Sequence, residues 1–353
     1  MTRTLVWDPA PGETRALLLE EGAPVELHLL RDLSTGMTAQ TGAVHQARLV
    51  ARLGNGRGLA LLDSGEEVLL HPVPSLPEGS ALTLRITRPR LPEPGQWKRA
   101  LATPVGESDL LPAPDDPRAA LWAKADLLIC ARASDAPLGL PLPVRVDPDA
   151  VAEADLEGWI DRARTGLFPF DGGSLSIERT RAMTIIDVDG GGDPLALNRA
   201  AAAAIGRALR LFQIGGPVGI DFVGVSSRAD RQAVDQALAE ACAPLAPLER
   251  TSVNGFGFAQ IVRPRTGPSL PELLCGTTPG QLSAESQALG LLRAAAHSAG
   301  VGPRLITARP QVIDLLQRWT VEMDAVRRSV GADIKLVPDP GLSGYGHVHV
   351  SPA

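Results

Sequence analysis

The sequence predicts an α/β chain, organised as an α+β multidomain protein. Three observations carry that prediction. The chain has 353 residues and is 44% hydrophobic, more than a single core, which stops growing near ~250–300 residues, usually holds. Its first hundred residues read as short strand runs broken by Gly, Pro and Ser, the spacing of a small barrel or sandwich. Residues 173–262 instead alternate strand-like and helix-like runs of the lengths found in α/β layers. Aromatic residues make up only 3%, so these cores must be built from Leu, Val, Ile and Ala.

The elements follow in order. Arg15–Glu20 and Val25–Leu30 form a hairpin around Glu21-Gly22-Ala23-Pro24, with apolar alternation at 25, 27 and 29. Ala43–Leu53, Gly58–Leu62, Glu67–His71 and Ala81–Arg88 are the strands of a second β-rich block. A proline-rich stretch from Arg88 to Pro148 holds an amphipathic helix at Pro117–Ala125 and a strand at Asp126–Ala131. Ala150–Thr165 is helical. Strands at Gly173–Thr180 and Ala182–Val188 precede a helix over Asp193–Phe212, a buried strand at Pro217–Val225, a helix over Ser227–Cys242 and a strand at Gly257–Val262. Ser283–Ala299, Leu305–Ala308, Pro310–Val330, Asp333–Val337 and Gly346–Ser351 complete a small α+β tail.

Composition narrows the function. The net charge of −6 argues against a surface coated for nonspecific nucleic-acid binding and leaves room only for a local basic cleft. Three cysteines (Cys130, Cys242, Cys275) with no close pair form neither a disulfide framework nor a complete zinc site. No run of ~18 apolar residues offers a membrane span, and the start lacks the apolar core of a signal peptide. The cytoplasm is the default location.

The chemistry concentrates in Ile185-Ile186-Asp187-Val188-Asp189-Gly190-Gly191-Gly192-Asp193 and Val218-Gly219-Ile220-Asp221-Phe222. An Asp interrupting an apolar strand is costly unless it reaches water, a donor or a metal. Asp187 and Asp189 leave one face of their strand, and Asp221 follows at a separation that fits strand–helix–adjacent strand. Two carboxylates on neighbouring strand ends suit a Mg²⁺ ion that keeps several waters. The same residues also fit turn and cap chemistry, with Asp193 as a helix N-cap.

Gly172-Gly173-Ser174-Leu175-Ser176-Ile177, Ile186-Asp187-Val188-Asp189, the helical Arg207-Ala208-Leu209-Arg210-Leu211, and Gly215-Gly216-Pro217-Val218-Gly219-Ile220-Asp221-Phe222 together resemble the catalytic region of the ribonuclease E/G family. The resemblance implies a ribonuclease H-like scaffold in 1–35 plus 110–170 and an OB-fold RNA-binding insert in 36–105. It further implies a deoxyribonuclease-like α/β catalytic subdomain in 171–265, a linker at 266–282 and a small α+β domain in 283–353. It implies Mg²⁺-dependent endonucleolytic cleavage of single-stranded RNA that leaves 5′-phosphate ends. Asp187 and Asp221 match the two metal-binding aspartates, and Asp189 a polar residue that orients the first. The expected RNA contacts are Lys98, Arg99 and Arg88, with Arg207, Arg210 and Arg179 in the catalytic block.

Departures from the family pattern carry expectations of their own. The family's Cys-Pro-x-Cys zinc link is reduced to Cys275, so any homo-oligomer would not form through zinc. The space for a 5′-phosphate sensor is short, and Gly255 stands where an Arg precedes Phe-Gly. Leu61 and Leu69 occupy positions where family members carry base-stacking aromatics, each worth roughly 1–3 kcal/mol per base. Trp97 reads first as a half-buried packing anchor. The alternatives are a catalytically weak or inactive RNA-binding protein of the same fold, and a Mg²⁺ phosphohydrolase with a smaller nucleotide substrate.

Overall fold

The computed structural model describes residues 2–33, 39–106, 117–225 and 227–352. Strands β1 (Arg3–Ala10), β2 (Glu13–Glu20) and β3 (Ala23–Arg31) open the chain. They are followed by β4 (Val44–Arg52), β5 (Gly58–Leu62), β6 (Glu67–Leu70), β7 (Ala81–Arg88), β8 (Leu91–Glu93), β9 (Gln96–Lys98) and β10 (Ala100–Pro104). Helix α1 (Pro117–Trp122), strands β11 (Leu127–Cys130) and β12 (Val144–Val146), and helices α2 (Pro148–Glu153) and α3 (Leu156–Thr165) come next. The central stretch holds β13 (Leu167–Phe170), β14 (Gly173–Arg179), β15 (Thr184–Gly190), α4 (Pro194–Leu211), β16 (Gly216–Asp221), α5 (Arg228–Cys242), β17 (Glu249–Arg250) and β18 (Phe258–Arg263). The chain closes with α6 (Leu270–Cys275), α7 (Ala284–His297), β19 (Arg304–Ala308), α8 (Pro310–Arg318), α9 (Thr320–Val330), β20 (Ile334–Pro338) and β21 (His347–Val350).

These elements cluster into two compact units, one of residues 1–36, 121–165 and 273–353 and one of residues 37–120 and 166–272. The borders that the sequence suggests near 36 and 110 lie outside the described residues. No described helix is long and apolar enough to cross a membrane.

The first unit is built on a sheet of order β12-β11-β1-β2-β3 and a smaller sheet β20-β19-β21. Strand β1 is absent from the sequence reading. It lies between β11, which it meets in parallel, and β2, which it meets antiparallel. Leu5, Val6 and Trp7 are all buried, and a strand covered on both faces shows no alternation to read. The helix expected over Ala150–Thr165 is two helices. Asp155 breaks it with φ 50°, and its carboxylate accepts the Gly158 N–H at 3.1 Å, as an N-cap does. Likewise, the run Pro310–Val330 splits at Trp319 (φ −86°, ψ 63°), whose side chain is almost fully buried among α7, α8 and α9 residues.

The second unit joins a closed barrel, β10-β6-β5-β4-β7, to a sheet of order β13-β14-β15-β16-β18-β17. The barrel interior is filled by alternating residues such as Leu49, Leu62, Val68, Leu70, Leu84 and Ile86. Its closing strand β10 gives no sequence signal because its inward residues are Ala100 and Ala102, too small to mark a period. In the sheet, Leu175, Ile177, Ile186, Val188, Val218 and Ile220 are buried, and α4 packs on β13, β14 and β15. The other face of the sheet carries the carboxylates.

Candidate active site

Strand alternation decides what faces outward. On β15, Ile186 and Val188 turn inward while Asp187 and Asp189 are exposed; on β16, Ile220 is buried and Asp221 is exposed. The two strands run parallel, connected through α4, and their register sets Asp187 directly beside Asp221. On the antiparallel side, Ser176 stands opposite Asp187 and Ser174 opposite Asp189. Phe258 stands opposite Asp221.

The loop leaving Asp221 is fixed from two directions. Asn198, fully buried on α4, donates to the Val223 carbonyl at 2.6 Å and accepts the Val223 N–H at 3.1 Å. The Phe222 N–H donates to the Gly257 carbonyl at 3.1 Å. Gly257 sits at φ 85°, and a Cβ there would come within 2.7 Å of the Phe222 oxygen, so only glycine fits. Asp193 is an N-cap, accepting the Ala196 N–H at 2.9 Å. Cap chemistry therefore accounts for Asp193 but not for Asp187 or Asp221.

Charge on this face is one-sided. Asp187 is held above the usual carboxylate range, first by loss of water beside the flanking strands, then by the neighbouring Asp189 and Asp221 carboxylates. The Val188 N–H opposes this by donating to the carboxylate, and Glu178 adds to it. No ion pair among the described residues joins a Lys or Arg to Asp187, Asp189 or Asp221. Nor do the described residues contain a group of three or more His, Cys, Asp or Glu able to enclose a metal by themselves. What is present is the donor set of a hard cation that keeps most of its waters: oxygen ligands from one or two carboxylates. The three cysteines are buried and free.

Residues 151–266 match a family model described as the ribonuclease E/G family. Over that segment the chain is similar to the ribonuclease E/G family. It is similar to ribonuclease G of Escherichia coli (strain K12), with 34% identity over 138 residues, covering 35% of this chain and 28% of that protein. Ribonuclease G of Haemophilus influenzae is 35% identical over 120 residues, 31% of this chain and 24% of its own. Ribonuclease E of the same organism is 35% identical over 111 residues, 29% of this chain and 12% of its own. Each match thus takes in well under half of the relative's length, and the family-model match includes the strands that carry the aspartates.

The basic residues singled out from the sequence are dispersed. Arg207 and Arg210 lie on α4, which covers the sheet face opposite the carboxylates, and Arg207 sits 5.7 Å over the Phe168 ring. Arg179 follows the inward parity of β14 and stands 3.9 Å from Glu272. These three do not join the aspartates, because strand and helix periodicity turn them away. On the barrel side, exposed Lys98 pairs with the mostly buried Glu93 at 3.3 Å, and Arg99 pairs with Glu67 at 3.0 Å, both exposed. Arg88 donates to the Arg99 carbonyl at 3.1 Å. Trp97 is 49% exposed, half-buried as expected, with Arg90 4.3 Å over one face of its ring. Ser174, Ser176 and Glu178 were missed, although strand alternation alone put them on the carboxylate face. Phe256 is 91% exposed on the loop that precedes β18.

Proposed function

We propose that the chain is an endoribonuclease that cleaves single-stranded RNA at the Asp187–Asp221 face. The observation that carries this reading is the register: two exposed carboxylates on adjacent parallel strands, without a counter-ion among the described residues, inside the segment that matches the family. A Mg²⁺ ion held by Asp187 and Asp221 would supply positive charge at the phosphodiester and an activated water for its attack, leaving 5′-phosphate ends. Asp189, one pleat along the same face, can only accept, so it would position Asp187 through a water of the ion rather than by a direct hydrogen bond. Phe256 and Phe258 offer rings on which a neighbouring base can stack. The closed barrel, read as the OB-type insert, tracks the RNA backbone with Lys98, Arg99 and Arg88. Residues 1–35 with 110–170 and residues 171–265 serve as the ribonuclease H-like and deoxyribonuclease-like parts.

A second reading, an RNA-binding protein with little turnover, is favoured by one observation. Leu61 and Leu69 supply no ring to the barrel surface, and Leu61 is 39% exposed there. End-labelled single-stranded RNA incubated with Mg²⁺ separates the two. Wild type is expected to cut, and Asp187→Asn and Asp221→Asn each to lose at least ~100-fold in rate, the several kcal/mol that metal-held charge contributes. Binding without cleavage by wild type would establish the second reading. Cleavage untouched by either substitution would move the active site elsewhere.

A further inference from the structure

The unit that carries the aspartates also contains a cavity of about 140 Å³ whose charges do not balance. Arg179 and Arg181 come from the β14–β15 hairpin, Arg265 from the chain after β18 and Lys98 from β9. Four cations therefore face two carboxylates, Glu93 and Glu272.

Both carboxylates are already engaged. Glu272 accepts from Arg265 through one oxygen and from the Ser269 N–H, at 2.7 Å, through the other. Glu93 lies 3.3 Å from the Lys98 ammonium and accepts from Gln96 at 3.0 Å. Arg181 is anchored by its Nε, which donates to the Pro94 carbonyl at 3.1 Å, leaving the rest of its guanidinium fork beside Gly95. Nearby Arg88 is held below its usual range by burial and then by repulsion from Arg265, as expected where positive charge is in excess.

Size and geometry narrow the occupant. Pockets for drug-sized ligands run to about 300–1,000 Å³, so this one admits a single small group. Fixed guanidinium forks match the oxygens of a tetrahedral anion. We propose that this cavity is a subsite for one phosphate group. Under the RNA reading above, on which this part rests, that phosphate belongs to the bound strand but is not the one being cut. Thr184, the first residue of β15, and Pro217, the second of β16, lie at the cavity, and Asp187 and Asp221 follow them by three and four residues. At ~3.3 Å per residue the two positions are about 10–13 Å apart along the strands.

The test measures binding of a short fluorescent oligoribonucleotide, with a 5′-hydroxyl or a 5′-phosphate, without Mg²⁺ and across about 50–200 mM salt. The Arg181→Ala, Lys98→Ala double variant is expected to bind about tenfold more weakly. Its log–log salt slope should be shallower by about 0.7, one phosphate contact on a single strand. Arg181→Lys in the otherwise native protein should bind between wild type and the double variant, because an ammonium keeps the charge but not the fork, and an unchanged circular dichroism melt would show that the double variant is folded. Equal losses on both RNAs identify an internal diester, and a loss confined to the 5′-phosphorylated RNA identifies a terminal monoester. Undiminished affinity and slope in the folded double variant would overturn the subsite. If wild type binds no RNA at any salt, the RNA reading falls. Calorimetry with inorganic phosphate then decides the subsite, which stands if wild type binds phosphate and the double variant does not, and fails otherwise.

Discussion

The two compact units treat clustered charge in opposite ways. In the first, Arg15, Arg31 and Arg293 converge on Glu13. Arg31 donates to Glu13 at 3.0 Å and to Glu285 at 2.7 Å, and Arg15 reaches both Glu13 and Glu157. Arg293 donates to Asp8 at 2.5 Å and to the Glu13 carbonyl at 3.0 Å. Three guanidinium groups thus meet four carboxylates. Glu13 and the three arginines are nearly buried, and their attraction can offset lost hydration only because almost every group is matched. In the second unit the aspartate face has no matching cation among the described residues, and the cavity beside Arg265 has too many. Balanced charge is part of the scaffold; surplus charge is where a ligand completes the match.

The largest test of this contrast is Glu13→Gln. Replacing the shared carboxylate by an amide removes the charge to which Arg15 and Arg31 both donate inside a nearly buried network, which should cost about 3–5 kcal/mol. Trp7, Trp122, Trp159 and Trp319 all belong to this unit, so the midpoint of denaturant unfolding followed by tryptophan fluorescence reports it. A loss below ~1 kcal/mol would mean the network adds little. Acid should act through the same kind of pairing. Burial raises the Glu26 pKa, but hydrogen bonds from His28 and Lys124 outweigh it and bring it down to about 2. A depressed carboxyl stabilises the fold fully above its unfolded value of 4.5 and loses that contribution as pH falls toward about 2. The full loss is of the order of ~3 kcal/mol. Glu26→Gln should flatten the stability profile across this window, and a profile identical to wild type would show that the pairing is not coupled to folding.

Much of this was legible in the sequence, for reasons that also explain the gaps. The adjacency of the strands that carry Asp187 and Asp221 followed from strand period and a helix-length separation, both local properties; their side-by-side register did not. Strand β1 was hidden because Leu5, Val6 and Trp7 are buried together and show no alternation. Strand β10 was hidden because alanines mark no period. The balanced network was invisible because Glu13, Glu157, Glu285 and Arg293 lie far apart in sequence and meet only through tertiary packing. The inward turn of Arg179 depended on a strand register that composition does not encode, as did the assembly of Arg181, Arg265 and Lys98 around one cavity.

The smallest expected effect is also the sharpest discriminator. Asp187→Asn keeps the shape of the side chain and removes one of three neighbouring negative charges. If the carboxylate is there for a ligand, metal-free stability should stay within about 0.5 kcal/mol of wild type or rise slightly, as for a surface change with no structural partner. Hydrogen exchange of the β15 and β16 amides measures this locally, free of the tryptophans in the other unit. Adding Mg²⁺ at roughly five times its Kd should then stabilise wild type by about 1 kcal/mol and leave Asp187→Asn unmoved, since a ligand stabilises only the state that binds it. A loss above ~1 kcal/mol in the metal-free variant would instead mark Asp187 as a structural carboxylate, like Asp193 at the start of α4. The contrast between the two units would then lose one of its two unbalanced sites, and the basic cavity would have to carry it alone.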